Sequence, residues 1–175
     1  AELIEKENVQ DPILMQLLPV SAENIETSGY NADPVGDLDN ERAPGLLHKY
    51  QGRVLLIASA SCAVNCRYCF RRHFPYQEAQ AGRDSWQKTL DLIADSPDID
   101  EVILSGGDPL TLSDSRLEKL IAALGKISHL KRIRIHSRLA VVLPERITQG
   151  LCRIFTNSPL QPVLVMHINH ANEIS

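Results

Sequence analysis

From Arg53 onward the chain alternates between short apolar runs and stretches with helical period. Val54-Leu55-Leu56-Ile57-Ala58 is continuous and apolar, the pattern of a strand buried on both faces. Asp84 and Gln87 have capping-box spacing ahead of a helix that carries Trp86, Leu90 and Ile93 on one stripe. Glu101-Val-Ile-Leu-Ser105 reads as a second strand, stopped by Gly106-Gly107. Leu117, Leu120, Ile121 and Leu124 recur at i, i+3, i+4 and i+7, predicting a helix with Gly125 as its C-cap. Ile133–His136 is the third strand. A helix with Pro144 in its first turn and Ile147, Leu151, Ile154 and Phe155 on one face follows it. Val163–Ile168 is the fourth strand. Cys152 falls beside the apolar stripe of the third helix and reads as a small buried thiol.

Four strand-helix alternations predict an α/β fold with a parallel sheet, open or curled into a partial barrel. Residues 1–45 contrast with this. They are polar and punctuated by proline and glycine, with one helix-like patch at Ile13, Leu14, Leu17 and Leu18. They read as an irregular N-terminal extension that wraps another part of the molecule, ahead of a barrel domain over 46–175. In a parallel α/β sheet the loops after the strands form the active edge. Four chemically equipped loops fall there: Cys62–Cys69, Ser105–Pro109, His136–Arg138 and His167–His170.

Composition narrows the field. The chain has 175 residues, 43% hydrophobic and 23% charged, with a net charge of -4 and a pI near 5.9. That excludes wholesale disorder and a broad basic face for nucleic acid. No apolar run approaches the roughly 20 residues of a membrane span and no signal peptide opens the chain, so a soluble, cytoplasmic protein is the expectation.

Three of the four cysteines, Cys62, Cys66 and Cys69, crowd into one C-x3-C-x2-C loop, unlike a disulfide framework. Three thiolates so spaced can hold three corners of a [4Fe-4S] cubane and leave the fourth iron without a protein ligand, free to bind a small chelating molecule. An alternative is a zinc knuckle with His73 as fourth ligand, which would turn Arg67, Arg71 and Arg72 into nucleic-acid contacts.

The cysteine loop, with aromatic Tyr68 before its third cysteine, resembles the radical S-adenosylmethionine signature. Ser105-Gly106-Gly107-Asp108 looks like the motif that contacts the amino group of S-adenosylmethionine there, through backbone carbonyls and a carboxylate. The wider text is more specific. Pro44-Gly-Leu-Leu-His-Lys-Tyr50, Tyr68-Cys-Phe-Arg-Arg-His-Phe-Pro-Tyr76, Arg134-Ile-His-Ser-Arg138 and His167-Ile-Asn-His-Ala-Asn-Glu173 together resemble lysine 2,3-aminomutases. The nearest resemblance is to the branch that makes (R)-β-lysine for modifying elongation factor P.

That resemblance implies an isomerase that converts L-lysine to β-lysine. A 5'-deoxyadenosyl radical starts the reaction, and a pyridoxal 5'-phosphate imine carries the migrating nitrogen. An electron donor such as flavodoxin or ferredoxin, and a homo-oligomer, are further implications. By position, Arg71 matches the residue that pairs with the substrate carboxylate. Arg53 and Tyr50 match residues near pyridoxal phosphate, and Ser137, His167 and Asn169, with His136, face the S-adenosylmethionine site. A radical enzyme acting on another amino acid stays open.

Two departures from the family pattern bear on this. The resting cofactor is expected on a lysine in a glycine-rich segment, a context that none of Lys6, Lys49, Lys88, Lys119, Lys126 and Lys131 has. The family's partial barrel has six strand-helix units, and four are legible. The sequence therefore reads as an N-terminal fragment, cut within a domain and inactive by itself.

Overall fold

A computed structural model describes residues 3–79 and 86–174. Its centre is one six-stranded sheet in the order β1-β2-β3-β4-β5-β6. The strands are β1 (Glu41–Ala43), β2 (Leu46–Tyr50), β3 (Arg53–Ser59), β4 (Glu101–Gly106), β5 (Arg132–Ser137) and β6 (Gln161–Met166). β3 to β6 are parallel neighbours, while β1 and β2 add an antiparallel edge. The helices are α1 (Leu14–Leu17), α2 (Tyr76–Ala79), α3 (Gln87–Ala94), α4 (Asp114–Leu124), α5 (Leu139–Val142) and α6 (Gln149–Thr156). No helix among the described residues is long and apolar enough to cross a membrane.

The parallel register builds the core. Val54, Val102 and Ile133 lie side by side, as do Leu56, Leu104 and Ile135. This face packs on Ile93 of α3, on Leu117, Leu120, Ile121 and Leu124 of α4, and on Leu151 of α6. Each such side chain removed from water stabilises the fold by about 1.5–3 kcal/mol before entropy is counted. The opposite face is mixed: Leu55 and Ile103 are half-buried there beside Arg134 and His136. Glu101, which is buried, accepts from Arg134 Nε at 2.9 Å across the β4–β5 pairing.

Several local expectations change. Six strands stand where four were legible, because Glu41–Ala43 and Leu46–Tyr50 pair into the antiparallel edge. The segment before residue 45 is therefore not wholly irregular. β6 begins and ends two residues earlier than predicted, leaving His167 and Ile168 beyond it. Pro144 opens a separate 3-10 turn, Pro144–Arg146, and α6 starts only after Thr148, whose hydroxyl accepts from Leu151 N at 3.1 Å. Gly125 caps α4 as expected but at φ -64°, not in the left-handed region. What demands glycine is Pro159, whose Cγ would stand 2.5 Å from an added Cβ. Cys152 is exposed, because it follows Leu151 by one position and so turns about 100° away from the buried stripe. Asp84 lies outside the described residues, and α3 itself shows no side-chain cap at Trp86.

Leu120, fully buried, and Cys152, exposed, make a matched test on the same layer of helices. Leu120→Ala is expected to cost about 2–5 kcal/mol in chemical denaturation. Cys152→Ala is expected to stay within about 0.5 kcal/mol of the parent. Equal losses would contradict the packing described.

Candidate functional site

The parallel strands deliver their C-terminal ends to one edge, and the loops there enclose a cavity of about 380 Å³. Cys62, Cys66 and Cys69 line it from the loop after β3. Ser105, Gly106, Gly107 and Asp108 line it from β4, His136 and Arg138 from β5, and His167 from beyond β6. Tyr68 and Arg71 complete the wall beside the cysteines. Most residues expected at one site thus meet around one space. Among the described residues, no three His, Cys, Asp or Glu side chains converge on a point that would hold a single metal ion. The three sulfurs instead border a space larger than one ion.

The glycines serve the protein's own backbone first. Gly106 lies at φ +111°, and a Cβ there would stand 2.4 Å from Ser59 O. A Cβ on Gly107 would stand 2.4 Å from Ser61 O. This contact lets Gly107 N donate to Ser59 O and Asp108 N to Ser61 O, both at 2.7 Å. The β4 loop is thereby laced to the chain that leads into Cys62. Ser59 and Thr111 add a hydroxyl pair at 2.8 Å.

Asp108 does something other than wait for an ammonium group. Its buried carboxylate accepts from Leu110 N at 3.0 Å, Arg138 N at 2.8 Å and Leu139 N at 2.8 Å. The Ser137 hydroxyl lies 2.9 and 3.1 Å from its two oxygens and donates to them. These donors occupy the carboxylate, so Asp108 fastens the β4 loop to the start of α5. Ser137, expected at a ligand, is engaged with Asp108 and buried.

Electrostatics follow the geometry. Cys62 as a residue remains exposed, yet its thiol is pushed up to about 11. Desolvation is the largest cause, followed by the Asp108 carboxylate and the Cys69 and Cys66 thiols. An anionic Cys62 sulfur is thus disfavoured until positive charge enters the cavity. Burial also raises the Tyr76 phenol to about 12, and that hydroxyl donates to Gly106 O at 2.8 Å. His136 is driven down to about 4, by burial first and then by His167, Arg134 and Arg71. Its ring meets His167 edge-on at 5.9 Å, and its buried Nε2 has no hydrogen-bond partner among the described residues.

The remaining expected residues divide. Arg71 donates from Nε to Asp37 at 2.7 Å and from Nη1 to Ser105 Oγ at 3.2 Å, with its guanidinium 4.7 Å from the Phe70 ring. Tyr50 and Arg53 do not reach the cysteine cavity. They line a neighbouring space of about 200 Å³ with Lys49, Asp37 and Arg71, and Arg53 sits 5.0 Å over the Tyr50 ring. Arg71 therefore borders both spaces. Asn169 is exposed and reaches the site only through its side-chain amide, which donates to the Tyr68 hydroxyl.

The basic residues that a nucleic-acid contact would use are engaged. Arg72 pairs with Glu23 at 2.6 Å, Arg67 binds the other oxygen of Glu23, and Arg71 is held by Asp37. His73 lines two other cavities, one beside Glu23 and one beside Phe74.

Sequence reasoning missed the residues that hold the site together. Arg138, buried, donates to His167 O at 3.3 Å, Gln16 Oε1 at 2.8 Å and Glu173 Oε1 at 3.0 Å. Gln16 O accepts from Arg67 N at 2.8 Å, so the segment around α1 lies against the cysteine loop. Arg138 and Tyr76 stand inside the motifs already quoted, a usable signal. Asp37 sits in a polar segment and carried none.

Because the folded pKa of His136 lies below its ordinary 6.5, the unfolded chain takes up the proton first as pH falls. Stability present above pH 6.5 is therefore drained between about pH 6.5 and about pH 4. Urea denaturation at pH 7 and pH 5 should show that loss in the parent and a smaller one in His136→Leu. Equal losses in both would remove burial of the neutral ring as the cause.

Comparison with known proteins agrees with this geometry. A family described as a 4Fe-4S single cluster domain matches residues 51–137, which hold the cysteine loop and the glycine loop. A protein of Haemophilus influenzae named L-lysine 2,3-aminomutase is 50% identical over 98% of this chain and 51% of its own length. One of Escherichia coli with the same name is 50% identical over 98% of this chain and 50% of its own length. A third, from Acetoanaerobium sticklandii, is 38% identical over 99% of this chain and 42% of its own length. The chain spans about half the length of these relatives. Over nearly its whole length the chain is similar to proteins named L-lysine 2,3-aminomutase.

Proposed function

We propose that this chain is the cluster-bearing part of a radical S-adenosylmethionine aminomutase that moves the α-amino group of L-lysine to the β-carbon. One observation carries the reading: three cysteines, the Gly106-Gly107 loop and Arg71 border a single cavity, in a chain half identical to proteins named for that reaction. In the same reading residues 46–175 form part of a partial barrel, with 1–45 an extension laid against its cysteine loop.

The residues fit the groups. Cys62, Cys66 and Cys69 would hold a [4Fe-4S] cluster, whose positive iron would supply the charge that favours an anionic Cys62. S-adenosylmethionine would lie along Gly106 and Gly107, near Tyr68 and His167. Pyridoxal 5'-phosphate would take the neighbouring space, where Arg53, Lys49 and Arg71 set three cations against the single carboxylate of Asp37. When bound, these groups supply a hydrogen-abstracting radical and a carrier for the migrating nitrogen.

The protein's own part is placement. Arg71 stands between the two spaces and would hold the substrate carboxylate with a planar, permanently charged group. His136, kept neutral, adds no competing positive charge beside Arg71. The Tyr76 hydroxyl and Asp108 hold the glycine loop still. Leu139 and Val142 of α5 supply an apolar stretch of wall that limits water around a reactive species.

Tyr68-Cys-Phe-Arg-Arg-His-Phe-Pro-Tyr76 favours the branch whose product modifies elongation factor P. A flavodoxin or ferredoxin would supply the electron.

Anaerobic reconstitution of the full-length enzyme is expected to give a brown protein with roughly four irons per chain. Cys66→Ala should abolish cluster assembly and Cys152→Ala should leave it intact. Stoichiometric zinc with no iron, or equal iron loss in both variants, would overturn the assignment.

A further inference from the structure

The strongest unassigned feature is a buried carboxylate in the wall of the smaller cavity. Asp37 side chain is 3% exposed, and its two oxygens go to different cations: Oδ1 to Lys49 Nζ at 2.6 Å and Oδ2 to Arg71 Nε at 2.7 Å. Asp37 and both cations line the smaller cavity, and Arg71 also lines the cysteine cavity. We infer that Asp37 is a positioning residue for amino-acid binding, fixing the Arg71 guanidinium so that its remaining N–H edge meets the substrate carboxylate while Lys49 is held in the adjoining space. The inference rests on the reading of Arg71 as the carboxylate-binding residue.

The donor inventory of Arg71 supports this. Nε is committed to Asp37 and one Nη1 hydrogen to Ser105, while the Phe70 ring covers the group. Nη2 has no partner among the described residues. The guanidinium is planar, so fixing Nε and Nη1 fixes the direction of Nη2 as well. A carboxylate can then be met end-on without first freezing a mobile side chain.

Charge points the same way. Lys49, Asp37 and Arg71 together carry one net positive charge, and Arg53 on the same cavity adds another. An anion is still attracted, while the cations are kept from repelling one another apart. The loop bearing Asp37 is itself braced: Asp33 accepts from Asp37 N and Leu38 N, both at 2.9 Å, and Asn40 Nδ2 donates to Gly36 O at 2.7 Å. The aspartate thus arrives pre-set, and arginine and lysine adjust to it.

The test uses the full-length enzyme and compares parent, Asp37→Asn, Arg71→Ala and the double variant. Iron content, pyridoxal phosphate content, lysine binding by calorimetry and the kcat and KM for lysine are measured on each. Asp37→Asn is expected to keep its iron, weaken lysine binding by about tenfold or more, raise KM accordingly and change kcat less. In the Arg71→Ala background the same substitution is expected to weaken lysine binding no further, because it acts through the arginine. Unchanged lysine affinity in Asp37→Asn, with affinity lost in Arg71→Ala, would overturn the role of Asp37 alone. Independent, additive losses, or failure of Asp37→Asn to fold or take up iron, would make Asp37 a structural carboxylate and overturn the inference. Unchanged affinity in Arg71→Ala would remove the reading beneath it, and the inference with it.

Discussion

The site depends on three strand ends being tied together, and Asp108 is the knot. Its carboxylate receives the backbone of Leu110 on its own side and those of Arg138 and Leu139 from the end of β5. A buried carboxylate left without donors would cost several kcal/mol, so these bonds are obligatory partners once the group is inside. On its other flank the same loop receives the chain entering the cysteines, through Gly107 and Ser59 and through Asp108 and Ser61. Cysteine loop, glycine loop and the start of α5 therefore move as one unit. A site walled by several loops gains from that, since loops that moved separately would each have to be ordered at the moment of binding.

Around this unit the polar N-terminal segment acts as an outer brace. Arg138 reaches Gln16 across 122 residues of sequence and Glu173 across 35. Glu23 gathers Arg67 and Arg72, on either side of Tyr68 and Cys69. Glu173 is held below the usual carboxylate range against the cost of burial by Asn169 N and Arg138, so this ion pair persists while the groups stay enclosed. Two carboxylates hold the cations beside the cysteine loop, Glu23 taking Arg67 and Arg72 and Asp37 taking Arg71, and Arg71 alone among the three borders both cavities.

Much of this was legible in the sequence, for physical reasons. The parallel strands and α4 announce themselves because burial imposes a period that local residues must obey. The cysteine spacing is legible because sulfur chemistry dictates it. The β1–β2 edge was not, since a short hairpin with one half-polar strand lacks a clear alternation. Cys152 was misplaced because a helix rotates about 100° per residue, and one position separates Leu151 in the core from solvent. Asp108 and Ser137 carry side chains whose chemistry suits a ligand. That their bonding is spent inside the protein depends on which loops meet, which no local pattern encodes. Asp37 was invisible for the same reason: its importance lies wholly in its partners.

In the proposed function Cys62, Cys66 and Cys69 hold a cluster with one iron left open to S-adenosylmethionine. Electron paramagnetic resonance of the reduced full-length enzyme, before and after adding S-adenosylmethionine, tests it most directly. A [4Fe-4S] signal is expected, its g-values shifting when the ligand occupies the open iron. A signal unchanged by saturating S-adenosylmethionine, or no iron signal at all, would contradict it.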